Sequence, residues 1–168
     1  AVIIILSLAT TREQVREANN FSWTPILEVA ILFVGIFVTM TPAMMYLNQH
    51  AMELGLTEAW QFYYSTGILS SFLDNAPTAV AFHTVAGGLP EVAGVEYVAG
   101  VPEILLTAIS LGAVFFGAMT YIGNGPNFMV KAIAEQSGIN MPSFFGYMIR
   151  FSLVILLPIY ILTQLIFL

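Results

Sequence analysis

The sequence predicts an all-α membrane protein, on three observations: the composition, two long apolar runs, and two polar breaks within apolar segments. Of 168 residues, 58% are hydrophobic and 8% are charged, and the mean hydropathy is +0.87. Charged residues alone make up about a quarter of an ordinary globular chain. Because continuous apolar runs cross lipid as helices, we expect a multi-pass helical protein.

The amino-acid composition excludes several kinds of functional site. Cysteine is absent, which excludes disulfides, thiolate metal sites and cysteine nucleophiles. His50 and His83 lie too far apart in sequence to form a local metal motif. An enzyme would need a nucleophile with a base, or a cluster of carboxylates or metal ligands, so we predict neither catalysis nor a cofactor. With a net charge of −6 we expect no nucleic-acid partner.

Both ends of the chain lie within apolar runs. Ala1 starts the run that ends at Leu8, and Leu168 closes another. We therefore interpret the chain as a fragment of a longer protein, in which residues 1–22 are the end of a preceding span followed by a cytoplasmic loop.

Two segments are long and apolar enough to cross the membrane. One covers residues 23–47 and is interrupted only by Glu28, Pro25 and Pro42, and the other covers residues 143–168. About 20 apolar residues suffice to cross the hydrocarbon core. Both segments are therefore predicted transmembrane spans.

Residues 59–87 carry the string Ser-Ser-Phe-Leu-Asp-Asn-Ala-Pro-Thr at positions 70–78, between two apolar arms. The arms, of about 15 and about nine residues, are too short as helices for a core of about 30 Å. We therefore predict a re-entrant helical hairpin with the string at its tip; the alternative is one spanning helix kinked at Pro77. Asp74 is then either an ionisable functional residue at membrane depth or a cap of the following helix.

The second break, Gly-Asn-Gly-Pro-Asn at 123–127, lies within a largely apolar region. Two glycines and a proline so close together are expected to unwind a helix. The apolar flanks favour one broken helix over residues 102–138, with an ordinary turn between two separate helices as the alternative. Lys131 and Glu135, spaced i, i+4, are expected to pair on the helix surface.

Basic residues predict the orientation. Arg12 and Arg16 share one short loop, whereas the loops at 48–58 and 88–103 carry acids and no lysine or arginine. The positive-inside rule places the arginine loop in the cytoplasm and both acidic loops outside. With a re-entrant hairpin, the remaining basic residues also fall on the cytoplasmic side.

A span, a hairpin with Asp-Asn-Ala-Pro-Thr at its tip, a broken helix at Gly-Asn-Gly-Pro-Asn and a closing span together resemble the second half of a transporter of the ion transporter superfamily. The resemblance is closest to the bacterial group labelled as sodium:proton antiporters or citrate transporters, on the strings at 70–78 and 123–135. Members have two inverted repeats, each with one hairpin and one broken helix, and this chain has one set. The resemblance therefore implies that residues 23–168 form the C-terminal repeat of a secondary transporter in the bacterial inner membrane.

The resemblance also implies a sodium site where the hairpin tip faces the broken helix. The implied site residues are Asp74, Asn75, Thr78, Gly123, Asn124, Gly125 and Asn127. Ser70 and Ser71, one turn before the tip, are candidates for further hydroxyl ligands; the alternative is that they bond to their own backbone or to a neighbouring helix. Asp74, Asn75 and Asn124 are the implied direct ligands of sodium, as the transported or coupling ion. Carboxylate, amide, hydroxyl and backbone carbonyl oxygens suit such a hard cation. The expected partners are membrane lipid, the N-terminal half of the same protein and a second copy in a homodimer.

Two transport reactions fit these residues. A proton and a sodium ion would compete for the carboxylate of Asp74, which favours sodium/proton antiport. Citrate or dicarboxylate symport would need helix N-termini or arginines to meet an anion, and no arginine lies near either break. We therefore expect antiport, with sodium- or proton-coupled citrate or dicarboxylate symport as the alternative. A purely structural membrane subunit would not need two facing breaks.

Overall fold

The computed structural model describes residues 2–18 and 23–168; residues 19–22, in the predicted cytoplasmic loop, lie outside the described residues. The helices are α1 (Val2–Thr10), α2 (Glu13–Ala18), α3 (Thr24–Gln49), α4 (Ala59–Ser70), α5 (Asn75–Gly87), α6 (Glu103–Phe116), α7 (Gly125–Gln136), α8 (Phe144–Tyr147) and α9 (Leu157–Phe167). Short 3-10 turns lie at Ala51–Leu54 and Gly117–Met119, and a π-helix, Met148–Leu156, joins α8 to α9. A small antiparallel ladder of β1 (Tyr97–Val98) and β2 (Val101–Pro102) precedes α6.

The chain divides into two compact units, residues 1–39 and residues 40–168. Two described helices are long and apolar enough to cross a membrane: Ala30–Gln49, and Phe144–Phe167, which includes the π-helix. Their apolar side chains are largely exposed, which suits contact with lipid. The predicted class, mostly helical with membrane-spanning helices, is thus confirmed in its general form.

The second unit is built on the close packing of α4 against α6. Phe62, Tyr63 and Ile109 are almost completely buried between them. Two glycines allow this approach: a Cβ on Gly112 would come 2.5 Å from the Tyr63 carbonyl oxygen, and one on Gly67 would come 2.5 Å from the Phe116 ring. Small residues let helix backbones approach closely in membranes, where burial from water supplies no driving force.

Helix α5 folds back along α4. The rings of Phe62 in α4 and Phe82 in α5 lie edge to face with centroids 6.4 Å apart. In one continuous helix, residues 20 positions apart would be about 30 Å apart. The chain therefore reverses direction at residues 71–74, which rules out a single kinked helix for this segment.

The close contact between α4 and α6 predicts how a substitution at Gly112 affects stability. We expect Gly112→Ala to lower the free energy of unfolding by about 1–3 kcal/mol, because its Cβ would overlap a backbone oxygen that cannot move alone. The measurement is thermal unfolding of the purified protein in detergent. Gly35→Ala in α3, where a Cβ would meet nothing within 4 Å, is the control and should not lower the melting temperature. Equal melting of Gly112→Ala and the wild type would contradict the close approach.

Candidate functional site

The turn between α4 and α5 is organised by Asp74. Its carboxylate accepts a hydrogen bond from the backbone N–H of Ala76 at 3.2 Å, so Asp74 is the N-cap of α5. The buried hydroxyl of Thr78 donates to the Asp74 carbonyl oxygen at 2.9 Å. The Asp74 side chain is itself exposed. The structure therefore shows the capping role, which was one of the two interpretations that the sequence allowed. The exposed carboxylate has room for a second partner.

Residues 117–124 interrupt the helix between α6 and α7. The backbone tightens into the 3-10 turn and then becomes extended at Thr120, with φ −135° and ψ 165°. The Thr120 hydroxyl, which is buried, donates to the Ser71 carbonyl oxygen and accepts from the N–H of Gly123 at 3.0 Å. One side chain thereby joins the break to the turn of the α4–α5 hairpin.

Asn75, the first residue of α5, makes the second connection between the turn and the break. The groups around its amide determine its orientation. Its Nδ2 faces the carbonyl oxygens of Ala113 and Gly123 at 3.0 and 3.1 Å and the Ser70 hydroxyl at 2.8 Å, while its Oδ1 accepts from Nδ2 of Asn124 at 3.2 Å. The Ser70 hydroxyl in turn donates to Ala113 at 2.6 Å. Asn75 thus bonds to α4, α6 and the break at once.

Backbone carbonyl oxygens converge beside Gly123. A Cβ on this residue would lie 2.6 Å from the Gly117 oxygen, 2.8 Å from the Ser71 oxygen and 2.9 Å from the Ser70 oxygen. Only glycine fits such a position, since real side chains do not approach backbone oxygens this closely. The carbonyl ends of α4 and of the 3-10 turn therefore create a locally negative region at the break.

Asn127, in the first turn of α7, bonds back to the break. Its Nδ2 donates to the Gly117 carbonyl oxygen at 2.9 Å and to the Thr120 carbonyl oxygen at 3.3 Å. The side chain therefore acts here as a donor to freed carbonyls, and its amide oxygen is the part left for other contacts.

The structure brings together some of the predicted residues and leaves others apart. Those joined across the turn and the break are Ser70, Ser71, Asn75, Gly123 and Asn124. Three others have hydrogen bonds within one part only. Asp74 and Thr78 bond within the α4–α5 hairpin, and Asn127 bonds only to the break. Gly125 is exposed, and a Cβ on it would meet nothing within 4 Å.

Sequence reasoning missed several residues that shape the site. Thr120 and Gly117 contact the hairpin turn directly. The hydroxyls of Tyr147 and Ser152 bond to carbonyls of the break, and that of Tyr160 bonds to a carbonyl in the last turn of α6. The available signal was a polar side chain inside an apolar run, as for Ser152 in the closing span.

The described residues contain no group of three or more His, Asp or Glu side chains that could hold a metal ion. The oxygens gathered at the break are instead carbonyls, amides and hydroxyls. Such neutral ligands suit a monovalent hard cation at the unwound parts of membrane helices.

Lys131 in α7 lies apart from these oxygens. Its Nζ pairs with Glu135 at 2.6 Å and lies 5.4 Å from the centre of the Tyr121 ring. The expected i, i+4 surface pair is therefore confirmed.

Comparison with known proteins identifies the family. The model of a family described as "Putative citrate transport" matches residues 1–168. The chain belongs to this family. No curated protein and no solved structure shows a significant match to it. The predicted membership is thus confirmed, and the long apolar helices agree with a membrane protein of this family.

Proposed function

We propose that this chain provides part of the site of a sodium-coupled citrate transporter. The observation that carries the proposal is the meeting of two interrupted helices: α4 ends and α5 begins against the point where α6 ends and α7 begins. Helix C-termini carry partial negative charge and N-termini partial positive charge. Transporters use such half-helix ends to hold coupling ions and anionic substrates.

The cation would bind at the carbonyl side of the break. The oxygens of Ser70, Ser71 and Gly117 converge beside Gly123, and each carbonyl has two lone pairs, so one can accept a hydrogen bond while the other faces an ion. The amide oxygens of Asn75 and Asn124 and the carboxylate of Asp74 are the further candidate ligands. Sodium is cargo or coupling ion here.

A carboxylate of citrate would bind at the N-terminus of α7. The side chain of its N-cap, Asn124, makes no capping hydrogen bond to α7 and faces Asn75 instead. Gly125 at the first helical position is exposed with open space beside it. An uncapped helix N-terminus with room beside it attracts anions. The family description and this open N-terminus together support citrate as the substrate.

Sodium/proton antiport is the second candidate, favoured by one observation. The exposed Asp74 carboxylate directly precedes Asn75, so protonation and sodium binding could compete there. The sequence alone favoured this reaction. The family description supports citrate symport as the first candidate.

The membrane arrangement is part of the proposal. Helices α4 and α5, of 12 and 13 residues, would reach about 18–20 Å, short of a core of about 30 Å. The hairpin is therefore re-entrant, and irregular backbone at its tip needs protein or water around it. We place Arg12, Lys131 and Arg150 on the cytoplasmic side of a bacterial inner membrane. Residues 23–168 would be one of two inverted repeats in each subunit of a homodimer.

Transport assays distinguish the two reactions. The purified full-length protein is reconstituted in proteoliposomes, a sodium gradient is imposed, and labelled citrate and internal pH are followed together. We expect sodium-driven citrate accumulation. A sodium-driven change of internal pH in the absence of citrate, with no citrate uptake, would overturn symport in favour of antiport.

Asp74→Asn tests which reaction uses the carboxylate. Asparagine caps a helix about as well as aspartate, so α5 should remain capped. We expect citrate uptake at saturating sodium to fall by less than about threefold, since a fraction of a kcal/mol corresponds to such a factor. Antiport through Asp74 would instead disappear. Glu58→Gln, which alters the acid that begins α4, is the control and should change neither reaction.

A further inference from the structure

The closing helix, Phe144–Phe167, consists of α8, the π-helix and α9, and it contains an unusual segment beside the break. Residues Met148–Leu156 form nine residues of π-helix between α8 and α9. π-helical segments are rare, are mostly single turns, and occur frequently at functional sites. The sequence predicted a transmembrane span over residues 143–168, and its π segment was not part of that prediction.

Hydroxyl groups of the closing helix bond to backbone carbonyls in the last turn of α6 and in the 3-10 turn that follows it. Tyr147 donates to Ala118 at 3.0 Å, and Ser152, which is fully buried, donates to Met119 at 2.6 Å. Tyr160 completes the set. Its hydroxyl donates to the Phe115 carbonyl oxygen at 2.6 Å. Because α6 stops at Phe116, these carbonyls lack the i+4 backbone donor that a continuing α-helix would supply.

The other carbonyls in this stretch also have side-chain partners. Ser71 donates to Phe116 at 3.2 Å, and Asn127 donates to Gly117 and Thr120. Each carbonyl oxygen from residue 115 to residue 120 therefore accepts a hydrogen bond from a side chain. The direction of every carbonyl at the end of the helix is thus determined by a neighbouring helix.

The π-helix explains how the closing helix reaches two adjacent carbonyls. In an α-helix, residues five positions apart point in directions about 140° apart. The i→i+5 hydrogen bonding of a π-helix instead brings such residues close to one face. Tyr147 and Ser152 are five positions apart and bond to the adjacent residues Ala118 and Met119. The π-helical geometry therefore lets both hydroxyls reach the two adjacent carbonyl oxygens.

We propose that Tyr147, Ser152 and Tyr160 are positioning residues for the sodium site, and that the π-helical closing helix sets the carbonyl geometry on which sodium affinity depends. The inference rests on the proposed function for the identity of the ion. None of the three residues touches the ion; they act through the carbonyls that they hold. Tyr63 supports the arrangement, because its hydroxyl donates to the Tyr160 carbonyl oxygen at 3.0 Å.

The first test is hydrogen–deuterium exchange on the purified full-length protein. Ser152→Ala should speed the exchange of backbone amides in residues 117–124 by about three- to tenfold, the factor expected from one lost hydrogen bond. Ser152→Thr keeps a hydroxyl and should restore the wild-type rate. Thr163→Ala is the matched control, because this hydroxyl in the same helix bonds only to Ile159 of its own helix at 3.0 Å. Unchanged exchange in Ser152→Ala would overturn the inference.

The second test is sodium-dependent citrate uptake. Ser152→Ala and Tyr160→Phe should raise the half-saturating sodium concentration by about three- to tenfold. The KM for citrate at saturating sodium and the maximal rate should stay near wild-type values. Tyr160→Phe keeps the ring contacts with Phe115 and Phe116, so it removes only the hydroxyl. A fall in maximal rate with unchanged sodium dependence would indicate a merely structural role and overturn the inference.

The two tests separate failure of the inference from failure of the proposed function. If the wild type shows no sodium dependence, the proposed coupling ion is wrong. The exchange measurement needs no ion and still decides whether the closing helix holds the carbonyls. If citrate uptake depends on sodium, but Ser152→Ala and Tyr160→Phe leave the half-saturating sodium concentration unchanged, only the positioning role is wrong.

Discussion

Gly123→Ala is expected to reduce sodium-driven citrate uptake by about fivefold or more, because overpacking of about 1–3 kcal/mol falls directly on the proposed ion site. The added Cβ would lie within 2.6–2.9 Å of the carbonyl oxygens of Gly117, Ser71 and Ser70. These oxygens belong to backbone on two separate elements, so the overlap can be relieved only by moving one element away from the other. The measurement is the initial rate of labelled citrate uptake into proteoliposomes across a range of sodium concentrations.

Gly125→Ala is the matched control for this variant. It lies two residues further along in the same string, and its Cβ would meet nothing within 4 Å. Uptake by this variant should stay within about twofold of wild type, as for an ordinary exposed substitution. If Gly123→Ala transports as well as Gly125→Ala, the converging carbonyls are not part of the site.

Asn75→Ala is expected to have a comparably large effect. The amide of Asn75 bonds to Ala113, Gly123, Ser70 and Asn124, so its removal breaks the contact of α5 with α6 and with the break. The Ala113 carbonyl keeps the Ser70 hydroxyl as a donor, but the Gly123 carbonyl loses its side-chain donor. Such a loss costs about 1–3 kcal/mol, which corresponds to about five- to 150-fold in sodium affinity. The measurement is binding of radioactive sodium to the purified protein.

Asn48→Ala provides the comparison for Asn75→Ala. Asn48 also uses its amide to join two elements, donating to the Thr84 carbonyl oxygen in α5 at 3.2 Å, but it lies away from the break. We expect its sodium affinity to match wild type. Equal losses in the two variants would mean that general packing of α5, and not the amide at the break, governs sodium binding.

Much of the general fold could be predicted from local sequence. The predicted spans, 23–47 and 143–168, overlap most of the helices Ala30–Gln49 and Phe144–Phe167. A break was predicted at Gly123–Asn127 because glycine and proline interrupt a helix through the backbone alone. The structure has the interruption earlier, at residues 117–124, and α7 already begins at Gly125. The chain reversal before Asn75 was favoured by the shortness of the two arms. Each of these features depends on properties of neighbouring residues, which a single sequence displays.

The detailed site could not be predicted in the same way. The role of Thr120 depends on the Ser71 carbonyl lying opposite it, 49 residues away in sequence. The amino-acid composition of Met148–Leu156 does not distinguish a π-helix from an α-helix. The π-helix instead fits the positions of the Ala118 and Met119 carbonyls, which lie elsewhere in the sequence. Such features arise from the packing of separate helices, where tertiary contacts override local preference.

Asp74 illustrates the limit of motif reasoning. The acid in the string at 70–78 suggested a direct sodium ligand, and the structure gives its carboxylate a capping bond to Ala76. Asn75, its neighbour, has the contacts with the break. The direct ligand role of Asp74 stays a prediction.

The central claim is that the α4–α5 turn and the break between α6 and α7 form one site that couples sodium to citrate. The most direct measurement is equilibrium binding of radioactive sodium to the purified full-length protein, with and without citrate. Because coupling between two ligands is reciprocal, citrate should raise the sodium affinity of the wild type, and Gly123→Ala should abolish that increase. Sodium binding that is absent, or that is unaffected by both citrate and Gly123→Ala, would contradict the account.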